Sequence, residues 1–425
     1  MAVRQEDRLL FACLRGAADP RAAEVIGTLV RRSPNWREFV ATAIQNDVAP
    51  VIYERLHQAG MWGQVPSWAG RQLEYEYHRV GFCNTRYFAE LGHALDSLRE
   101  CGIEVIVLKG AALAEAVWKN VALRPMGDID LLVREDDLDG ADRALRRLGY
   151  DQYLQYLDES LREEYRTRSH HLAPYFNAGT RIVVEIHRNI LTPRGVFRTA
   201  FDVRQFWERA QPARIGGVET RVLSPEDTII HLCLHQCKDG GPSGVGLFLG
   251  KLKNLMDLAG LVANDVCHIR WDTILGGARE HGIAKYVYYP LYFAERLLAA
   301  GVPRDVLRQL KRESRLPCFA DVLLKQIIGR NLLLRREDLS VIPRWILVKL
   351  FEDLMRATAG RESVRSVLRT LCFPPPEESS VEVPAPSGSA LEGVSCVGRR
   401  LRRLGWRVAA RIARGVSHGA AMLGR

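Results

Sequence analysis

Two aspartates open an apolar run near the end of the first third of this chain. Asp128 and Asp130 begin the segment DIDLLV. Alternation along an extended strand sends both carboxylates to one face while Ile129 points to the other. Two anions held side by side repel each other unless a cation lies between them. Carboxylate oxygens are also the ligands that Mg²⁺ prefers, at about 2.0–2.1 Å and in company with substrate phosphates. A metal-holding strand start is therefore expected, the plainer alternative being two solvated acids.

The residues upstream strengthen the expectation. IEVIVL, 103–108, is apolar and rich in β-branched residues apart from its glutamate, and predicts a strand buried on both faces that ends at Lys109 and Gly110. A glycine there lets backbone approach a phosphate closely, with its N–H and those of the following helix directed at the anion. Lys109 and Arg124 add positive charge, the arginine with a fork suited to phosphate oxygens. AALAEAVWK suits a short helix, followed by a loop holding Arg124, Pro125 and Gly127 and then the second strand. Leu138, Ala141, Leu145 and Leu148 recur at helical spacing up to Gly149.

Phe88, Leu91, Leu95 and Leu98 predict a helix stopped at Gly102. LAPYFN and RIVVEIH flank Ala178-Gly179, and ARI and TRVL flank Gly216-Gly217, as two hairpins. Ser224-Pro225-Glu226-Asp227 reads as a helix start with N-cap, first-turn proline and acid. The fold class expected is α+β, a mixed sheet with N-terminal helices and a C-terminal helical domain. The divisions are an N-terminal helical region at 1–98, an α/β domain at 99–223, a helical domain at 224–372, a Pro- and Ser-rich linker at 373–395 and an Arg-rich amphipathic helix at 396–425.

Composition bounds the partners. No run of eighteen apolar residues appears, and the opening MAVRQEDRLLFACLRG lacks the apolar core of a secretory signal, so a cytoplasmic location is expected. Nine cysteines without C-x-x-C pairs argue against a disulfide framework, a disulfide-linked partner or a zinc ribbon. Of the net charge of +10, eight arginines unopposed by acid lie within 396–425, which leaves a nearly neutral body. Val397, Leu401, Leu404, Val408 and Ile412 make that tail an amphipathic helix that packs on its own protein, lies peripherally on an anionic membrane or meets RNA.

LKGAAL followed by R-x-x-x-D-I-D-L-L-V resembles the DNA polymerase β-type nucleotidyltransferase superfamily, and more closely a bacterial nucleotidyltransferase family often left uncharacterised. VVEIHRN, IIHLCLHQC and LKNLMDLAGLV extend the likeness along the chain. The resemblance implies a nucleotidyltransferase-type sheet and a third carboxylate, for which Glu185 is the matching position. It implies that Asp128, Asp130 and Glu185 hold two Mg²⁺ (or Mn²⁺) ions, with Lys109, Gly110, Ala111 and Arg124 on the NTP. The acceptor, a hydroxyl-type group on an unidentified small molecule, sugar or peptide, attacks the α-phosphate and pyrophosphate leaves. Two features depart from the pattern. Ala111 stands where the superfamily usually has Gly or Ser, and sixteen residues separate it from Asp128. A non-catalytic binding or regulatory protein on the same fold is the alternative, as is a membrane-surface or RNA-associated factor acting through the tail.

His187 shares Glu185's face, placed to contact substrate, orient a carboxylate or serve structure alone. His231 and His235 share a helix face but lack the glutamate and fourth ligand of a zinc site, and read as core or pocket-lining residues. GVGLFLGKL is no P-loop, because Val245 replaces a required glycine and Leu252 the metal-binding Ser or Thr.

Overall fold

The computed structural model describes residues 4–15, 21–152, 159–192, 201–237, 252–264, 268–332 and 354–355. Residues 1–238 and 249–313 form one compact unit, and 239–248 with 314–425 a second. The expected linker and basic helix lie outside the described residues, as do Gly250 and Lys251.

The first unit begins with helices α1 (Gln5–Leu14), α2 (Ala22–Arg31), α3 (Trp36–Gln45) and α4 (Ala49–Gln58), then α5 (Ser67–Glu100). Leu91, Leu95 and Leu98 are buried on one stripe of α5, and the helix stops where Gly102 takes a φ of 72°. The strands follow as β1 (Ile106–Val107), β2 (Ile129–Leu132), β3 (Asp151–Gln152), β4 (Tyr175–Asn177), β5 (Ile182–His187), β6 (Gln211–Ile215) and β7 (Val218–Val222). They make one mixed sheet in the order β3-β4-β5-β2-β1-β7-β6. The fold is α+β, as expected. The strand expected over 103–108 is shorter, paired in the ladder only at Ile106 and Val107, although Val105 and Leu108 still bond to Arg221 and Asp130.

Period-two alternation sorts the two central strands. Ile129 and Leu131 of β2 and Ile182, Val184 and Ile186 of β5 enter a core shared with Leu91, Leu95 and Leu98 of α5 and with Ala141 and Leu145 of α7 (Leu138–Arg147). Asp130, Glu185 and His187 are therefore left on the opposite face. Both expected hairpins form. At the β6–β7 turn Gly216 and Gly217 have φ of 60° and 83°, as a two-residue turn of this kind requires. A Cβ on Gly216 would come within 2.8 Å of the Phe88 carbonyl oxygen, so the turn is also pressed onto α5.

Helices α6 (Lys109–Leu113), α8 (Glu159–Thr167) and α9 (Arg204–Arg209) connect the strands. After them come α10 (Pro225–Gln236), α11 (Leu252–Val262), α12 (Trp271–Glu280), α13 (Ala284–Leu298) and α14 (Arg304–Glu313). The α10 start is capped as its residues foretell, with the Ser224 side chain accepting from the Asp227 backbone N–H at 3.2 Å. In the second unit the helix described is α15 (Cys318–Leu332), where Lys325 pairs with Asp321 at 3.1 Å. Among the described residues no helix is long and apolar enough to cross a membrane.

Candidate functional site

The site grows out of one register. Strands β2 and β5 run parallel with Asp130 opposite Glu185 and Leu132 opposite His187. Directly paired residues share a face, so Asp130, Glu185 and His187 converge, and one ligand atom from each lies within 4.8 Å of the others. The His187 Nε2 stands 2.8 Å from Asp130 Oδ1 and 3.4 Å from Glu185 Oε2. Its Nδ1 is buried without a hydrogen-bond partner among the described residues.

Lys109 enters from the connection between β1 and β2. Its backbone takes a φ of 41°, a left-handed conformation uncommon for a side chain with Cβ. Its ammonium donates to Asp130 Oδ1 at 2.8 Å, with 10% of the side chain exposed against 2% for Asp130. Asp128 stands just before β2, outside the tight group, yet close enough to feel the charges of Asp130, Lys109 and Glu185.

The electrostatics follow from this crowding. The Asp128 carboxyl is raised to about 6, first by the charge of Asp130 and then by burial. Burial alone would raise Asp130 too, but Lys109 and the His187 hydrogen bond hold it well below the usual carboxylate range. Glu185 is likewise lowered, burial being outweighed by the bond from His187. The two basic groups move the other way. Burial opposes their charge, yet Asp130 leads the groups that hold both Lys109 and His187 above their ordinary values.

Other residues expected around the phosphates have different surroundings. Arg124 is buried and forks onto Asp257 of α11, with Nη2 at 2.8 Å from Oδ2 and Nε at 3.2 and 3.1 Å from the two oxygens. The Trp118 indole N–H donates to the same carboxylate at 3.1 Å. Gly110 packs beneath this arginine, where a Cβ would meet Arg124 Nη1 at 3.1 Å and Met126 Sδ at 3.3 Å. Ala111 is buried and joins the core. The expected helix after Gly110 is a single α turn continued by a π-helical turn at Ala114–Trp118.

The loop carrying Arg124 is held from both sides. Asn84 of α5 donates to the Val121 and Arg124 carbonyls at 2.5 and 2.7 Å, and the Tyr87 hydroxyl donates to that of Gly127 at 2.9 Å. From α11, Lys253 reaches the Pro125 carbonyl at 3.3 Å. Sequence reasoning did not find Asp257, although a lone acid among Leu255, Met256, Leu258 and Ala259 signals a buried partner. It also passed over His170 and His171, whose rings lie 5.4 and 5.3 Å from that of His187. Two adjacent histidines in a loop carry no ligand spacing, so the sequence held little to find them by. His231 and Cys233 are buried within α10, and Cys237 is buried just past its end.

A family model described as uncharacterised nucleotidyltransferase matches residues 32–299. No curated protein and no solved structure matches the chain.

Proposed function

The chain belongs to the uncharacterised nucleotidyltransferase family, and from that membership we propose that it transfers a nucleoside monophosphate from an NTP to a hydroxyl-type acceptor on a small molecule, sugar or peptide. The observation that carries the proposal is the parallel register setting Glu185 beside Asp130, with Asp128 close by and Lys109 over them. That register supports reading Glu185 as the third carboxylate on a neighbouring strand.

The residues fit a divalent cation. Lys109 and His187 lie against these carboxylates, with Lys253 and His171 acting on Asp128 and Glu185, yet the Asp128 carboxyl is still raised by the charge of Asp130, so the group favours a further cation. Asp128, Asp130 and Glu185 would hold Mg²⁺ or Mn²⁺. When bound, such ions supply charge neutralisation at the phosphates and lower the pKa of a coordinated acceptor oxygen. Lys109, anchored at the end of β1, brings an ammonium to the α-, β- or γ-phosphate from the side of Asp130. His187 bridges Asp130 and Glu185 and so fixes the spacing of two carboxylates that would otherwise repel. Arg124 acts at one remove in this reading, joining α11 to the loop that delivers Asp128 to the site. Most of the rate enhancement would come from positioning and preorganised charge.

A second reading, a non-catalytic protein on the same fold, is favoured by the degree to which Lys109 and His187 already compensate Asp130. Incubation of the protein with each NTP and an extract of its own cells separates the two. Mass spectrometry is expected to find a product heavier by one nucleoside monophosphate residue, made by the wild type and missing with Asp130→Asn. A wild-type reaction without any nucleotidylated product under every NTP would leave only the non-catalytic reading.

A further inference from the structure

We propose that Lys109 is the stand-in cation of the metal-free centre: its ammonium occupies the Asp130 oxygen that a divalent ion would use, and must let go before the ion can bind. The inference rests on the metal-centre reading above and deepens it into a coupling between metal and nucleotide.

Asp130 Oδ1 has two nitrogen groups against it, Lys109 Nζ and His187 Nε2, each at 2.8 Å. A carboxylate oxygen has about two lone-pair directions, so this oxygen is filled. The two contacts are not equally easy to break. The His187 ring is 1% exposed and is set by the backbone of β5, whereas Lys109 is a four-carbon stem with a rotatable head at a strand-to-helix junction. Lys109 is therefore the group that yields.

Its departure has a condition. With its side chain only 10% exposed, an ammonium parted from Asp130 would be a buried charge whose remaining acidic neighbours, Asp128 and Glu185, are the ones an incoming divalent ion also claims. The phosphates of an NTP supply the missing anion. Lys109 then exchanges a carboxylate for a phosphate, Asp130 is released to the metal, and neither step is favourable without the other. This makes metal and NTP binding mutually reinforcing, and by linkage the enhancement is reciprocal. In the resting protein Lys109 guards the carboxylates against binding a free cation in a futile complex.

The test is a titration of Mn²⁺ without nucleotide, read by the electron paramagnetic resonance signal of the free ion. Compared with the wild type, Lys109→Met is expected to bind Mn²⁺ about tenfold more tightly or better, since a positive charge next to the ion has been removed. Lys109→Arg, which keeps the charge, is expected to stay near the wild-type affinity. Equal or weaker binding by a folded Lys109→Met, with wild-type binding still lost in Asp130→Asn, would overturn the stand-in role while leaving the metal centre intact. A wild type that binds no Mn²⁺ even with a non-hydrolysable NTP analogue would remove the metal-centre reading itself. Should Lys109→Met not fold, the wild type answers directly. The ¹⁵N-labelled ammonium of Lys109 is expected to shift or exchange away when Mg²⁺ and the analogue are added together, and an unchanged signal at saturation would refute its release.

Discussion

Replacing Asp128 by asparagine should stabilise the metal-free protein, and the pH at which it does so follows from the crowding at β2. The carboxyl is raised from 3.8 to about 6 by the charge of Asp130 and by burial. A carboxyl with a folded value above its unfolded one is at no disadvantage below the unfolded value, where both states hold the proton. As pH climbs through about 6 the folded state must surrender that proton into a negative pocket, and stability falls. At about 1.4 kcal/mol for each pH unit between the two values, the full loss is on the order of 3 kcal/mol. Asn keeps the shape and cannot ionise, so it escapes the loss. The assay is hydrogen exchange at the amides of β2 and β5 in EDTA, which reads the stability of these strands without assuming that both units of the chain unfold together. Above about pH 7 the variant is expected to be better protected by roughly that amount, with the gap closing towards pH 4. Adding Mg²⁺ and an NTP analogue should stabilise the wild type more than the variant. A variant that is less stable than wild type, or a gap that does not change with pH, would show that Asp128 is not held against Asp130 as described.

Three further outcomes follow from single contacts. Asp257→Ala leaves the buried Arg124 guanidinium without its anion and is expected to cost about 3–5 kcal/mol in urea denaturation, whereas the double change Arg124→Met with Asp257→Leu should recover most of it; a loss below about 0.5 kcal/mol for the single change would mean the pair is not buried in solution. His187→Gln is expected to weaken Mn²⁺ binding in the presence of an NTP analogue about 10–100-fold by calorimetry, and unchanged affinity would make this histidine a bystander. Gly216→Val forces a β-branched residue into a φ of 60° and its Cβ against the Phe88 carbonyl, so about 1–3 kcal/mol of stability should be lost, and a neutral effect on the denaturation midpoint would contradict the packing of the turn on α5.

Local chemistry was legible in the sequence wherever it depended on neighbours along the chain. Period-two alternation gave the shared face of Glu185 and His187, glycine pairs gave the hairpins, and the Ser224 cap gave the start of α10. The arrangement of strands was not legible, because β1 lies between β2 and the much later β7, while β2 pairs with β5, and no local pattern encodes such partners. Glu185 shows the division. Its alternation with Val184 and Ile186 is visible in the sequence, but an exposed acid would alternate in the same way, and only the register with Asp130 brings it to the site. Arg124 is the reverse case. Its position between a glycine-marked strand end and DIDLLV suits a phosphate contact, yet its fork is taken by Asp257, 133 residues further on. Fork geometry recognises carboxylate and phosphate alike, so residue type alone could not separate the two.

The central claim is that the carboxylates on β2 and β5 make a metal-dependent nucleotidyl-transfer centre, and pyrophosphate release tests it most directly. With Mg²⁺, an NTP and a cell extract as the source of acceptor, the wild type is expected to release pyrophosphate, EDTA to stop it, and Asp130→Asn and Glu185→Gln each to lower the rate by about a hundredfold or more while remaining folded. Release that persists in EDTA, or that both variants sustain at the wild-type rate, would contradict the account at its root.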